Sequence, residues 1–273
     1  MTLLGGFSAL AQVRETETET ETITLPPEYW DAVRDARIPE PQEIFRDLTA
    51  IAPHNPNLIW NDHGQVLVTL WTGWEGYTLG LGERLVVTRD VWVTPPFELK
   101  AFCSAYEPTE EVSLEERLRQ VLGLVPGTVD TSGDRQVVEL WVDPRFMFRP
   151  SPDPEITDHE AEVDFQPTGI FTGNSERHQQ QYQRWFYQQY DQRYQVSGQL
   201  MSPSNIDKKN LPYPWTQLGY TYDWGNPADW DNVDGDRPVN VGLSEFVIHE
   251  WSPIAVHSTQ STDVYCQRID ETL

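Results

Sequence analysis

Oxygen donors crowd the stretch ADWDNVDGDRP, residues 228–238, where Asp229, Asp231, Asn232, Asp234 and Asp236 surround Gly235. Such a cluster suits calcium, a hard cation bound by carboxylate, amide and carbonyl oxygens. An EF-hand loop fails here. With Gly235 at its sixth position, the first is Trp230 and the last Val241, where an acidic ligand and a bidentate Glu are required. Asp229, Asp231, Asp234 and Asp236 are therefore candidates for an irregular calcium site only. The alternative is a solvated turn built of Asp, Asn, Gly and Pro.

A second acidic stretch, RPSPDPEITDHEAEVD, spans 149–164. Asp153, Glu155 and Asp158 are its candidates for general acid/base work, and with His159 they are candidate metal ligands. Pro150, Pro152 and Pro154 stiffen the first half. Catalytic carboxylates must flank a substrate bond, roughly 5–10 Å apart in glycosidases, and spacing along the chain does not establish that. The alternative is a rigid connector in which Arg149 pairs with a nearby carboxylate.

A third stretch, YPWTQLGYTYDWG (213–225), is rich in rings. Tyr213, Trp215, Tyr220, Tyr222 and Trp224 are candidates for a platform against which the apolar face of a sugar stacks. The same residue types also build cores, with phenol and indole hydrogens bonded internally. Nucleophilic catalysis has little support, because G-x-S-x-G is absent and GLSEF lacks the second Gly. The 6 His are scattered, without H-E-x-x-H. GYTLGLGE is followed by no phosphate-binding helix pattern, so no nucleotide cofactor is expected.

Charge narrows the partners. The chain has 273 residues and a formal net charge of −24. Nucleic acid and anionic headgroups would be repelled, while a cation, a basic partner or a neutral sugar would not. With 38% hydrophobic and 12% aromatic residues, including 11 Trp, the chain can bury a sizeable core.

Export is expected from the start of the chain. The start, MTLLGGFSALAQ, ends in Ala9-Leu10-Ala11 before Gln12, like a signal-peptidase site, but lacks a basic region; residues 1–11 read as a truncated signal peptide. The 2 cysteines, Cys103 and Cys266, are expected to pair in an oxidising compartment; two separate buried thiols are the alternative. No stretch has the length and apolarity of a membrane span. Residues 12–25 alternate Thr and Glu and read as a disordered tether, leaving 26–273 as a single globular domain.

Local patterns then supply the elements. A helix is expected over 28–36, ending before Pro39. Residues 64–73, 83–95 and 135–144 read as strands. Residues 96–106 place Leu99, Phe102, Cys103 and Tyr106 on one helical face. Residues 113–124 form a helix with Ser113 as N-cap and Glu116 closing a capping box. Tyr182, Trp185, Phe186, Tyr190 and Tyr194 make an aromatic stripe on a helix over 174–195. The last strands are 242–253 and 254–258. The expected fold is α+β, with a largely antiparallel β-sheet body and a few short helices.

Taken together, ELWVDPRFMFRPSPDPEITD (139–158), LPYPWTQLGYTYDWGNP (211–227) and VGLSEFVI (241–248) resemble a family of uncharacterised bacterial exported proteins and lipoproteins. RDVWVTPPFELKAFC (89–103) and STDVYC (261–266) fit the same resemblance. It implies no known activity. In that family cysteines often flank the PDPEITD stretch. Ser151 and Ala161 stand at those positions here, which implies a lost local cross-link. The resemblance also makes the acidic loop 228–240 an insertion. The function expected is an exported, non-enzymatic envelope or extracellular protein that binds a glycan or another protein. The alternative is a carboxylate-dependent hydrolase, with or without a metal.

Overall fold

The computed structural model describes residues 23–130, 132–165, 176–225 and 240–267, with the backbone alone for 176–178. Among them are six helices and eleven strands, in antiparallel sheets. The α+β expectation therefore holds, with short helices around a largely antiparallel body. Among the described residues, no helix is long and apolar enough to cross a membrane.

The largest sheet is ordered β1 (Val66–Thr72), β4 (Gln136–Val142), β11 (Pro253–Ser261), β2 (Arg84–Val86). Val66 lies opposite Val142 and Thr72 opposite Gln136. The β-branched run in β1 and β4 suits a pleated surface covered on both sides. Val66, Val68, Val138, Leu140 and Val142 enter one core cluster, while Trp71 and Val137 enter another on the opposite face.

That second cluster is roofed by α3 (Pro96–Ala105) and α4 (Leu114–Val121). Ser113 caps α4 by accepting from the Glu116 backbone N–H at 3.2 Å. The capping box does not close, because the Glu116 carboxylate accepts from Gly127 N instead, at 2.9 Å. The Cys103–Cys266 disulfide is formed, joining α3 to the end of α6 (Thr262–Tyr265) with Cα atoms 5.2 Å apart.

A smaller sheet is ordered β3 (Val91–Val93), β10 (Phe246–Ile248), β5 (Met147–Phe148). It touches the large sheet through Thr69 and Thr94, which exchange two 2.9 Å backbone hydrogen bonds. Two further pairs are β8 (Tyr220–Tyr222) with β9 (Val241–Ser244), and the hairpin β6 (Gln195–Val196) with β7 (Gln199–Leu200). In that hairpin Ser197 and Gly198 both have positive φ, 51° and 73°, as a two-residue turn between twisted strands requires.

Three expectations are revised. The single strand expected over 83–95 is two, β2 and β3, in different sheets. The chain turns the corner at Asp90, whose carboxylate accepts from Glu250 N at 3.0 Å and Trp185 Nε1 at 2.5 Å. The strand expected over 242–253 also divides, at Glu245, so that β9 pairs with β8 while β10 joins the small sheet. Of the expected tether, 12–22 lies outside the described residues, but Leu25 is buried and packs with α1 (Pro27–Asp35) against Trp215 and Trp224. The remaining short helix, α2 (Gly76–Leu79), carries Tyr77 into the first core cluster. The long helix α5 (Glu176–Tyr194) covers the ring-rich third cluster with Trp185, Phe186, Tyr190 and Tyr194.

Candidate functional site

The structure brings Asp153, Glu155 and Asp158 onto one loop, where each binds its own neighbourhood. The buried Arg149 guanidinium bonds Asp158 Oδ1 at 2.6 Å and the Asp158 carbonyl at 2.9 Å, and also reaches the Glu160 carbonyl. Glu155 accepts from Thr157 N at 2.7 Å. Asp153 Oδ1 accepts from Glu155 N at 3.3 Å. Burial pushes the Asp153 carboxyl up to about 6, against the pull of that hydrogen bond, and the Asp158 charge adds to the rise. A carboxyl held there can exchange a proton near neutral pH. His159 Nδ1 lies 2.7 Å from the Leu48 carbonyl and faces no carboxylate cluster.

The ring-rich segment is inside the protein. Trp215, Tyr220 and Trp224 are buried, and Tyr213 and Tyr222 are half-buried. Their polar atoms serve the fold. Tyr213 donates to the Leu122 carbonyl at 2.9 Å, Tyr222 to Asp35 at 2.8 Å and Trp224 to the Leu124 carbonyl at 2.9 Å. Of the two readings of this stretch, platform and core, the structure follows the core one, with Trp215, Tyr220 and Trp224 covered by protein. Asp229, Asp231, Asp234 and Asp236 lie outside the described residues. Within the described residues, no three His, Cys, Asp or Glu side chains gather as metal ligands.

Exposed rings occur elsewhere. A groove of about 460 Å³ is lined by Phe146, Phe148, Tyr182, Trp185 and Trp251, with Arg145, His249 and Glu250 among its polar groups. Tyr182 and Trp185, three residues apart on α5, stack with centroids 5.4 Å apart. The Tyr182 hydroxyl lies 3.0 and 2.6 Å from the Arg149 and Ser151 carbonyls, so the acidic loop sits behind this wall. At the rim Trp251 is 66% exposed. Its φ is +65°, a left-handed conformation unfavourable for a bulky side chain. The turn is held by Trp251 N to the Val87 carbonyl at 2.7 Å and Ser252 N to the His249 carbonyl at 3.2 Å. Strain of roughly 1–3 kcal/mol of this kind persists only where the surroundings impose it.

A second groove, about 470 Å³, lies across the segment 86–92 and includes the half-exposed Trp74. It shares Leu70, Thr72 and Trp92 with a smaller cavity of about 190 Å³. At this cavity stands Glu245, 3% exposed, at the break between β9 and β10. Burial raises its carboxyl to about 8, although the Arg193 charge and a Tyr213 hydrogen bond pull the other way. Arg193 is itself caged by rings, its guanidinium carbon 4.4, 5.3 and 5.6 Å from the centroids of Trp92, Trp215 and Tyr213.

Glu245 and Trp251 were both missed as site residues in the sequence. The signal for Glu245 was a lone acid inside the apolar run VGLSEFVI. For Trp251 it was a large ring two residues before a proline, in HEWSP, near the end of the strand expected over 242–253.

The proton on Glu245 has a consequence for stability. The folded protein keeps it up to about pH 8, whereas the unfolded chain releases it near the ordinary value of 4.5. Between those values the folded state holds more protons, so rising pH erodes stability, by about 1.4 kcal/mol per unit at most. Above pH 8 this contribution levels off. Glu245→Gln removes the dependence. Chemical denaturation is expected to find the variant a few kcal/mol more stable than the native protein at pH 8, and the difference much reduced at pH 5. An equal difference at both values would contradict the assignment.

No protein-family model, no curated protein and no solved structure matches the chain significantly.

Proposed function

We propose that the chain is an exported, non-enzymatic binding protein whose ligand is a glycan held in the groove beneath Trp251. One observation carries the reading: a large ring is kept two-thirds exposed, in a left-handed turn, at the rim of a groove already walled by stacked rings. Sugar rings carry apolar C–H faces that lie flat on such surfaces. Arg145, His249 and Glu250 border the same groove and suit hydroxyl recognition. The net charge of −24 favours a neutral glycan over a polyanion. Export draws support from the disulfide and from the resemblance to exported bacterial proteins.

The test is a glycan array followed by calorimetry on the best binder. Trp251→Ala is expected to weaken binding at least tenfold, or about 1.4 kcal/mol, with the melting temperature little changed. Equal affinity in native and variant protein would sink the assignment.

A carboxylate-dependent hydrolase is the second reading, favoured by Asp153, whose carboxyl is held at about 6 on the loop behind Tyr182. It requires that a bound glycan be cut, and that Asp153→Asn abolish cutting while leaving binding intact.

A further inference from the structure

The large sheet ends on one side at β2. This outer strand is paired on a single flank, with β11, Val86 lying opposite Pro253 and Arg84 opposite Ala255. Toward β11 the Glu83 carbonyl accepts from Val256 N at 3.2 Å, and Val87 N donates to the Ser252 carbonyl at 3.1 Å. Peptide groups alternate in direction along a strand, so those of Arg84 and Val86 point away from the sheet. A strand edge of this kind is a template for another strand unless it is covered, or blunted by Pro, Lys or a bulge. Residues 83–87 contain neither Pro nor Lys.

Exposed apolar side chains gather in and before this strand. Trp74, Leu79, Leu81 and Val86 are each at least half exposed. Trp74 and Val86 line the same groove, and Leu81 bridges to Val256 of β11. Apolar groups exposed together mark an interaction site. The charges here are unpaired as well. Glu83, Arg84 and Arg89 are all exposed, and among the described residues none of them forms an ion pair. In a chain at −24 the two arginines make a locally basic spot that a second acidic surface can approach.

We propose that this edge joins two copies of the chain, β2 pairing antiparallel with β2 of a second copy about a two-fold axis at Val86. Such a seam is self-complementary. The outward N–H and carbonyl of Val86 are exchanged between the copies. Arg84 falls opposite Thr88 of the second copy, and Glu83 opposite its Arg89, so the same ion pair forms on both sides of the axis. The chain bends at Thr88 and Arg89, which leaves that contact to the long guanidinium side chain. Charge selects this register over its neighbours. An axis at Leu85 sets Glu83 against Val87 and Arg89 against Leu81. An axis at Val87 offers Arg84 only Asp90, whose carboxylate already bonds Glu250 N and Trp185 Nε1. Burial of Val86 against its copy, with the apolar groups near it, drives closure.

Sedimentation velocity on the full chain, over a wide concentration range at physiological ionic strength, is expected to show a reversible monomer–dimer equilibrium. Val86→Pro removes the N–H at the axis, on an edge strand where proline is tolerated, and abolishes the dimer. Glu83→Arg or Arg89→Glu alone weakens it about tenfold, because like charges then meet at both ends of the seam. The two changes together restore the dimer to within a few-fold of the native protein. A melting curve for each variant shows that it is folded. A chain monomeric at every concentration, a dimer untouched by Val86→Pro, or a double variant as weak as the single ones would each overturn the proposal. None of these results bears on Trp251 and the glycan groove.

Discussion

Asp223→Ala is expected to lower the unfolding free energy by about 3–5 kcal/mol, the usual cost of breaking a buried ion pair from one side. Asp223 meets Arg117 in a bidentate pair, 2.8 and 2.7 Å, with both side chains almost wholly buried. Asp223 Oδ1 also accepts from Gly225 N at 3.1 Å. The Arg117 guanidinium lies 4.8 Å from the Phe102 ring centroid and cannot reach water when its partner is removed. The pair ties α4 to the end of β8, and so fixes Leu122 and Thr221 at the smaller cavity. Arg117→Met with Asp223→Leu should lose far less than the single change, because no charge is stranded. Denaturant unfolding of the two variants checks this, and equal losses would show that the charge is not the cause.

Removing the disulfide has the second large effect. Cys103 and Cys266 close a loop with a sequence separation of 163. Chain entropy alone gives such a bridge about 5 kcal/mol, and measured losses on deleting native bridges run about 2–5. Cys103→Ser with Cys266→Ser is expected to fall in that range. The end of β11 and α6 should loosen first, since the bridge anchors them to α3. Hydrogen exchange is predicted to accelerate at residues 258–266 before it does in β1 or β4. Uniform acceleration, or none, would count against this account. Adding reductant to the native protein should reproduce the variant.

How much of this was legible in the sequence depends on how local each signal is. Helix α4 was readable because Ser113, the Leu spacing and the charge pattern lie within one short window. The pairing of β1 and β4 was foreshadowed by their β-branched runs. The divisions at Asp90 and Glu245 were not, because an apolar run says that a segment is buried but not which sheet it joins. Those two acids were the only local hints. The rings at 213–224 illustrate the same limit: a Trp in a core and a Trp on a platform have the same letter, and only α1 and α5 packing over Trp215 decides. The stripe on α5 divided its roles for that reason, with Phe186 and Tyr194 buried while Tyr182 and Trp185 wall a groove. Asp158 was visible as an acid near Arg149, but its commitment to that guanidinium needed the loop to curl back over nine residues.

The central claim, that Trp251 and Trp185 meet a glycan, is tested most directly by the indole N–H signals of the 11 Trp in an NMR titration with the best array binder. The account predicts that the Trp251 and Trp185 signals shift in a saturable way, while that of Trp215, fully buried in the core, stays in place. Saturable binding that leaves both Trp251 and Trp185 unmoved would contradict it.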